Sequence, residues 1–125
     1  MLKGHFLDVA AEKSPMPGTD ATIRWLISKR EGAPNFAMRL IELAGRGERI
    51  PLHEHTFEHE MFVIAGTGRL LQQNREEPVT AGDYIFVPAG EQHGFVNEGD
   101  SPFRFICVVP NSADTRQQGP GVSRP

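Results

Sequence analysis

Residues 53–60 read HEHTFEHE and residues 90–95 read GEQHGF, and together they hold four of the chain's five histidines. His53 and His55 are two positions apart, so in a β-strand their side chains point to the same face. His59 has the same parity, although a turn near residues 56–58 could break the alternation. The fold would have to bring in the fourth, His93, from a distant strand. Since neutral imidazole binds Mn, Fe, Co, Ni, Cu and Zn, this cluster predicts a site for one divalent metal ion.

The alternative interpretation is that these are unrelated surface or core histidines. An isolated His-x-His pair would be only weak evidence against this alternative. Here a third histidine lies beside the pair, and a fourth lies between turn residues of its own, which favours the metal site. His5 stands apart near the N-terminus, and we expect no role for it in the site.

Short apolar runs separated by turn residues continue on both sides of the histidines. Residues 36–43 (FAMRLIEL) could form a helix by propensity, but their length and flanking turns favour a strand. Turns are expected at several places, including residues 74–78. Short, regularly spaced strands are typical of an antiparallel sandwich or barrel, so the predicted fold class is all-β. The expected strands cover residues 6–9, 22–29, 36–43, 50–55, 59–65, 69–73, 84–87, 93–97 and 103–109.

Composition limits the remaining possibilities. A chain of 125 residues fits one domain, which we place at residues 1–110, with a flexible polar tail at 111–125. The net charge of −3 gives no electrostatic reason to expect nucleic acid or an anionic membrane as a partner. With one cysteine, no membrane-length apolar run and no signal-peptide pattern, we expect a cytoplasmic protein.

Two sequence frames resemble the paired motifs of the cupin superfamily. Residues 47–66 read Gly-x5-His-x-His-x3-His-x6-Gly, and residues 82–97 read Gly-x5-Pro-x-Gly-x2-His-x3-Asn. The resemblance covers about residues 36–110 and implies a double-stranded β-helix, the antiparallel jelly-roll barrel of that superfamily, with N-terminal strands in residues 1–45. In the first frame, His59 replaces the usual glutamate ligand.

Residues 33–40 and 105–107 are similar to those of small four-histidine monocupins from bacteria, some of which bind manganese. This resemblance implies one divalent metal ion per chain, held by His53, His55, His59 and His93. Manganese or iron is the expected metal, and nickel, zinc or copper could substitute. Glu60 is the rival for the third ligand. The six-residue spacing to Gly66 and the strand parity both favour His59, which leaves Glu60 as a contact outside the ligand set.

The expected pocket lining is Phe95, Phe105, Cys107 and Met38. Phe95 shares the strand face of His93, and alternation along residues 103–109 puts Phe105 and Cys107 on one face. For Cys107, a small buried residue is favoured over a reactive thiol. Core or interface positions are the alternative for Met38, and we expect them for Trp25 and Phe36.

Arg39 lies in the middle of an apolar strand and has two interpretations. It could anchor an anionic substrate, or it could pair with an acid such as Glu42 or a carboxylate of another chain. The sequence favours the ion pair.

The leading functional hypothesis is a dioxygenase-type metal enzyme that acts on a small oxygenated or aromatic molecule. A non-redox sugar or sugar-phosphate isomerase or epimerase is the alternative, as is a cupin that binds a small molecule without turnover. We expect a homodimer whose interface lies in the first 45 residues near Trp25.

Overall fold

The computed structural model describes residues 1–116, which contain ten strands and three short 3-10 helices. No helix in this range is long and apolar enough to cross a membrane. The 3-10 helices are Phe6–Asp8, Lys29–Glu31 and Asn111–Ala113. The strands are β1 (Glu12–Lys13), β2 (Thr22–Ile27), β3 (Phe36–Leu43), β4 (Arg49–His53), β5 (His59–Ala65), β6 (Thr67–Leu71), β7 (Glu76–Thr80), β8 (Tyr84–Val87), β9 (His93–Asn97) and β10 (Phe103–Pro110).

The strands form two antiparallel sheets. One sheet has six strands in the order β1-β2-β3-β10-β5-β8, and the other has four in the order β4-β9-β6-β7. A single cluster of buried apolar side chains draws on both sheets, so the sheets pack face to face around one core. This arrangement confirms the predicted all-β jelly-roll barrel.

Side-chain alternation along β10 shows how the core is filled. Phe103, Phe105, Cys107 and Val109 are each at most 1% exposed, whereas the residues between them are half-buried. The rings of Phe103 and Phe105 pack against Phe95 of the opposite sheet, with centroids 6.0 and 4.7 Å away. These contacts join the two sheets next to the histidines.

Two local predictions were wrong. The edge strand expected at residues 6–9 is instead the 3-10 helix Phe6–Asp8, where the Nδ1 atom of His5 accepts a hydrogen bond from the backbone N–H of Leu7. The turn expected at residues 74–78 overlaps β7, which begins at Glu76. Glu76, Glu77 and Pro78 are poor strand formers, but β7 is an edge strand, where the missing N–H of Pro78 is tolerated.

The chain after β10 folds back against the barrel. Asp114 is only 4% exposed, and Arg116 donates hydrogen bonds to its carboxylate and to the Ser28 hydroxyl. The sequence placed residues 111–125 in a flexible tail. Residues 111–116 carry this structure, and residues 117–125 lie outside the described part of the chain.

Gly94 allows β4 to approach β9 closely. A Cβ atom at this position would lie 2.5 Å from the carbonyl oxygen of Ile50 and 3.0 Å from the carbonyl carbon of Pro51. Because any larger residue would push β4 away, Gly94 fixes the distance between the strands that carry His53 and His93. Gly66, Gly82 and Gly90 adopt positive φ values of 85°, 100° and 81°, which side chains other than glycine rarely adopt.

The outer face of the six-stranded sheet is apolar at its β8 edge. Phe62 and Tyr84 are directly opposite each other on β5 and β8, and they are 48% and 84% exposed. Ile64 and Phe86 extend this exposed apolar surface. Trp25, by contrast, faces the barrel interior, so it does not mark an outer surface.

The homodimer stays a prediction. The sequence placed its interface in the first 45 residues near Trp25, but Trp25 lines the cavity, so we propose the apolar surface at the β8 edge instead. Exposed apolar patches beside an edge strand favour association. Sedimentation velocity at micromolar concentration should give a dimer for the native chain. Phe62→Lys should shift it to monomer, since a charge would be buried in the interface. Leu52→Lys, at an exposed position on β4 of the other sheet, is the matched control and should remain dimeric. A native chain that sediments as a monomer would contradict the prediction.

Candidate metal centre

Four imidazoles meet inside the barrel at the ends of three strands. His53 ends β4 and lies directly opposite His93, the first residue of β9. His59 begins β5 in the facing sheet, and His55 lies in the connection between β4 and β5. The fold therefore brings all four predicted histidines together.

The rings lie within contact distance of one another. The centroid distance is 4.2 Å between His53 and His93 and 4.6 Å between His53 and His55. Each of these three residues has a ring nitrogen within 4.8 Å of those of the other two, a spacing that could hold a metal ion. The centroid of His59 lies 4.8 Å from His55 and 5.1 Å from His93, which places it beside that group.

Hydrogen bonding leaves the Nε2 atoms free to bind a metal. The Nδ1 atoms of His53 and His93 lie 2.8 and 3.0 Å from the carbonyl oxygens of Pro51 and Glu91. Because a carbonyl can only accept, each Nδ1 carries the proton and each Nε2 presents its lone pair. The Nε2 atoms of His59 and His93 are buried without a hydrogen-bond partner. Buried imidazole nitrogens without partners fit a divalent ion as the missing neighbour.

His59 is oriented by a side chain rather than by a backbone carbonyl. Its Nδ1 lies 3.1 Å from the Sγ atom of Cys107, and Nη2 of Arg39 donates to the same sulfur at 3.0 Å. Burial raises the pKa of the Cys107 thiol, against a smaller opposing influence of Arg39. Cys107 is thus a buried small residue, as the sequence favoured, that also fixes the orientation of His59.

All four histidines are held neutral. Burial is the main cause, and it lowers the pKa of His55 to about 4, of His59 to about 3 and of His93 to about 4. Burial also lowers the pKa of His53. Only the neutral ring offers a lone pair to a metal, so the pocket keeps the histidines in the binding form near neutral pH.

The histidines form one end of a cavity of about 340 Å³. Apolar side chains make up most of its wall, and Arg39 is the cationic exception. No aspartate or glutamate among residues 1–116 lines it. Its larger apolar side chains are Met16, Ile23, Trp25, Ile41, Ile50, Phe57, Met61, Phe95 and Phe105.

Three expectations about this cavity need correction. Met38 does not line it, because alternation along β3 turns Arg39 and Ile41 inward and Met38 outward. Glu60 lies exposed on the outer face of β5, where a hydrogen bond with Glu58 raises its pKa. Trp25 belongs to the cavity wall rather than to an outer interface.

Phe95 and Phe105 lie on the cavity wall, as expected. A fourth correction concerns Cys107, which was expected on the wall but lies behind His59. Sequence analysis missed the N-terminal contribution to this wall, which includes Met16 in the turn before β2 and Ile23 on β2. The alternation along β2 does indicate that Ile23 and Trp25 lie on the same face of the strand. Nothing in the sequence indicated that β2 would pack beside the histidines.

Comparison with known proteins agrees with this architecture. The sequence matches the cupin domain over residues 39–109, and the chain belongs to the cupin family. Among solved structures it is similar to the polyketide cyclase RemF from Streptomyces resistomycificus. The two share 38% identity and a TM-score of 0.83, over 89% of this chain and 80% of that one.

Two curated relatives extend the comparison. An oxalate-binding protein of Thermotoga maritima is 31% identical over half of this chain, which spans 53% of that protein's length. A glucose-6-phosphate isomerase of Pyrococcus abyssi is 27% identical over 90% of this chain and 67% of its own length. Because proteins named for such different activities share the fold, the family alone does not fix the reaction.

The contrast between His59 and Glu60 can be tested by metal titration. His59→Ala should lower metal affinity by more than roughly tenfold, because it removes an inward imidazole. Glu60→Gln should leave the affinity within about twofold, since Glu60 lies on the outer face. Isothermal titration of metal into the chelator-treated protein measures both. A larger loss for Glu60→Gln would mean that the ligand set is wrong.

The lowered histidine pKa values predict an acid-sensitive metal-free protein. In the unfolded chain these side chains bind protons near pH 6.5, but in the folded protein His55 and His93 stay neutral down to about pH 4. The unfolded state therefore binds more protons within this window, and the free energy of unfolding falls as the pH falls through it. Urea unfolding at several pH values measures the slope. His55→Gln should flatten it, and a native slope of zero would refute the explanation.

Proposed function

We propose that His53, His55, His59 and His93 hold one divalent metal ion, with manganese or iron expected and nickel, zinc or copper as substitutes. The buried Nε2 atoms without partners support this proposal. So do the hydrogen bonds that direct the Nδ1 protons away from the centre of the cluster. With four neutral ligands the ion would keep its full positive charge and attract oxygen donors.

The reaction we propose is a metal-dependent cyclisation of a poly-carbonyl substrate. The observation that carries this proposal is the cavity itself, in which neutral imidazoles at one end face an aromatic and apolar wall without a carboxylate. Such a wall suits a chain of ketones that becomes an aromatic ring. The similarity to a polyketide cyclase at 38% identity supports the same chemistry.

The chain's own residues would bind the substrate and exclude water. A bound metal ion supplies Lewis acidity, which polarises a carbonyl and acidifies the neighbouring C–H bonds. Trp25 and Phe57 offer aromatic faces against which a nascent ring can pack. In the cyclisation, one carbon loses a proton and forms a C–C bond to a carbonyl carbon, whose oxygen gains a proton. The C–C bond closes the ring, and the new hydroxyl then leaves with a neighbouring proton as water to form a C=C bond, a loss that the apolar wall favours.

The dioxygenase expected from the sequence stays a prediction, because four imidazoles also suit metals that bind dioxygen. The two reactions differ in their demand for oxygen, so one assay can separate them. A sugar isomerase is less consistent with this cavity, since sugar hydroxyls would meet few polar partners on an apolar wall.

The proposal predicts both metal content and turnover. Untagged protein should contain about one divalent ion per chain, and it should convert an aryl poly-β-ketone into a cyclised product that has lost one water. His53→Ala should lower both the metal content per chain and the activity to a small fraction of the native values, because it removes a ligand. His5→Ala, outside the cluster, is the matched control and should retain both. Elemental analysis and mass spectrometry of the products provide the measurements.

The assay is run with and without air. Equal rates under both conditions support cyclisation, whereas oxygen uptake that matches product formation would establish the oxygenase instead. Substrate binding without product would indicate a cupin that binds its ligand without turnover. Stoichiometric metal retained in a His53→Ala/His93→Ala double variant would rule out the site.

A further inference from the structure

Arg39 brings a positive charge into a mostly apolar cavity wall. It lies in the middle of β3, between Trp25 of β2 and Cys107 of β10. Its side chain points inward, and it lines the same cavity as the histidines. Its charge contributes to the lowered pKa values of His53, His55 and His59, so it lies within electrostatic reach of the cluster.

No carboxylate satisfies this guanidinium group. Nη2 donates to the Cys107 sulfur, and the guanidinium carbon lies 5.3 Å from the centre of the Trp25 ring. The Nε atom is buried without a hydrogen-bond partner. Among residues 1–116, no acid lies within ion-pair distance of Arg39.

The acid expected from the sequence is used elsewhere. Glu42 pairs with Arg104 on the outer face of the same sheet, which is the face opposite to Arg39. The ion pair that the sequence favoured for Arg39 is therefore absent from the described residues. A cation removed from water without a counter-charge is costly, so its position beside an open cavity calls for an anionic ligand.

We propose that Arg39 is a carboxylate-binding residue, and that the substrate is a carboxylate-bearing poly-carbonyl compound. This inference rests on the proposed function and names its substrate class. The carbonyl oxygens of the substrate face the histidines, and its carboxylate pairs with the guanidinium group of Arg39. A planar guanidinium matches a planar carboxylate. The ligand thus spans the Arg39 guanidinium and the neutral histidine cluster, and this fixes which part of its chain lies at the histidines.

Trp25 gives a direct measure of this subsite. It is the chain's only tryptophan, and it stacks on Arg39, so its emission reports ligands that bind there. Metal-free full-length protein is titrated with benzoate and with benzamide, which have similar shapes but differ in charge. Benzoate should bind roughly tenfold to a hundredfold more tightly, the range expected for a charge-assisted hydrogen bond.

Variants then assign the preference to one side chain. Arg39→Met should bring the ratio of the two affinities close to one, and Arg39→Lys should restore part of it because the charge returns without the planar fork. Arg24→Met is the matched control, since Arg24 lies on the neighbouring strand β2 and does not line the cavity. It should keep the native ratio. A native ratio near one, or a ratio unchanged in Arg39→Met, would overturn the inference.

A second titration separates this inference from the proposed function. Metal-loaded protein is offered 1-phenyl-1,3-butanedione and its 3-carboxyphenyl and 4-carboxyphenyl derivatives. Binding of all three with a carboxylate preference that Arg39→Met abolishes supports both proposals. Equal binding of all three overturns the role of Arg39 and leaves the diketone site standing. A third outcome is that no diketone binds, while benzoate still binds the native protein more tightly than the Arg39→Met variant. The cyclase proposal then fails and the carboxylate subsite remains.

Discussion

The antiparallel pairing of β4 with β9 is the constraint on which the site depends. It places His53 directly opposite His93, and it requires a glycine at position 94 because a Cβ atom there would collide with the backbone of β4. The facing sheet then needs to supply only one inward side chain, His59 at the start of β5. A small shift between the two sheets would separate the rings, so the tightly packed phenylalanines next to them also hold the site in place.

Burial accounts for both the chemistry and the energetic cost of the cavity. The same loss of water that keeps the imidazoles neutral leaves two Nε2 atoms and the Arg39 Nε without partners. Groups of this kind destabilise a fold unless something binds them. A divalent ion would satisfy the histidine nitrogens, and an anionic ligand would satisfy the guanidinium. The unpaired histidine nitrogens and the unpaired guanidinium of the free protein therefore determine which ligands the cavity prefers.

Some positions were predicted correctly from strand alternation and family spacing. These positions depend on short-range sequence patterns. The inward positions of Phe105 and Cys107 follow from the period of two along β10. The same rule would have turned Met38 outward and Arg39 inward, had the interior face of β3 been known. That face is set by pairing with β10 and β2, which are far away in sequence. The error at residues 74–78 arose because an edge strand accepts residues that propensity disfavours. The error at residues 6–9 arose because the His5 side chain caps a 3-10 helix there.

By itself, the sequence determined the all-β class, the cupin frame and the identity of the four histidines, because these depend on spacing and on turn residues that act over a few positions. Only the tertiary structure decided what surrounds the histidines. It assigned Glu42 to Arg104 and left Arg39 unpaired in the cavity. It also placed Trp25 on the cavity wall and Cys107 against His59. Each of these contacts joins strands that are distant along the chain, and no local pattern specifies which of two possible partners a side chain will meet.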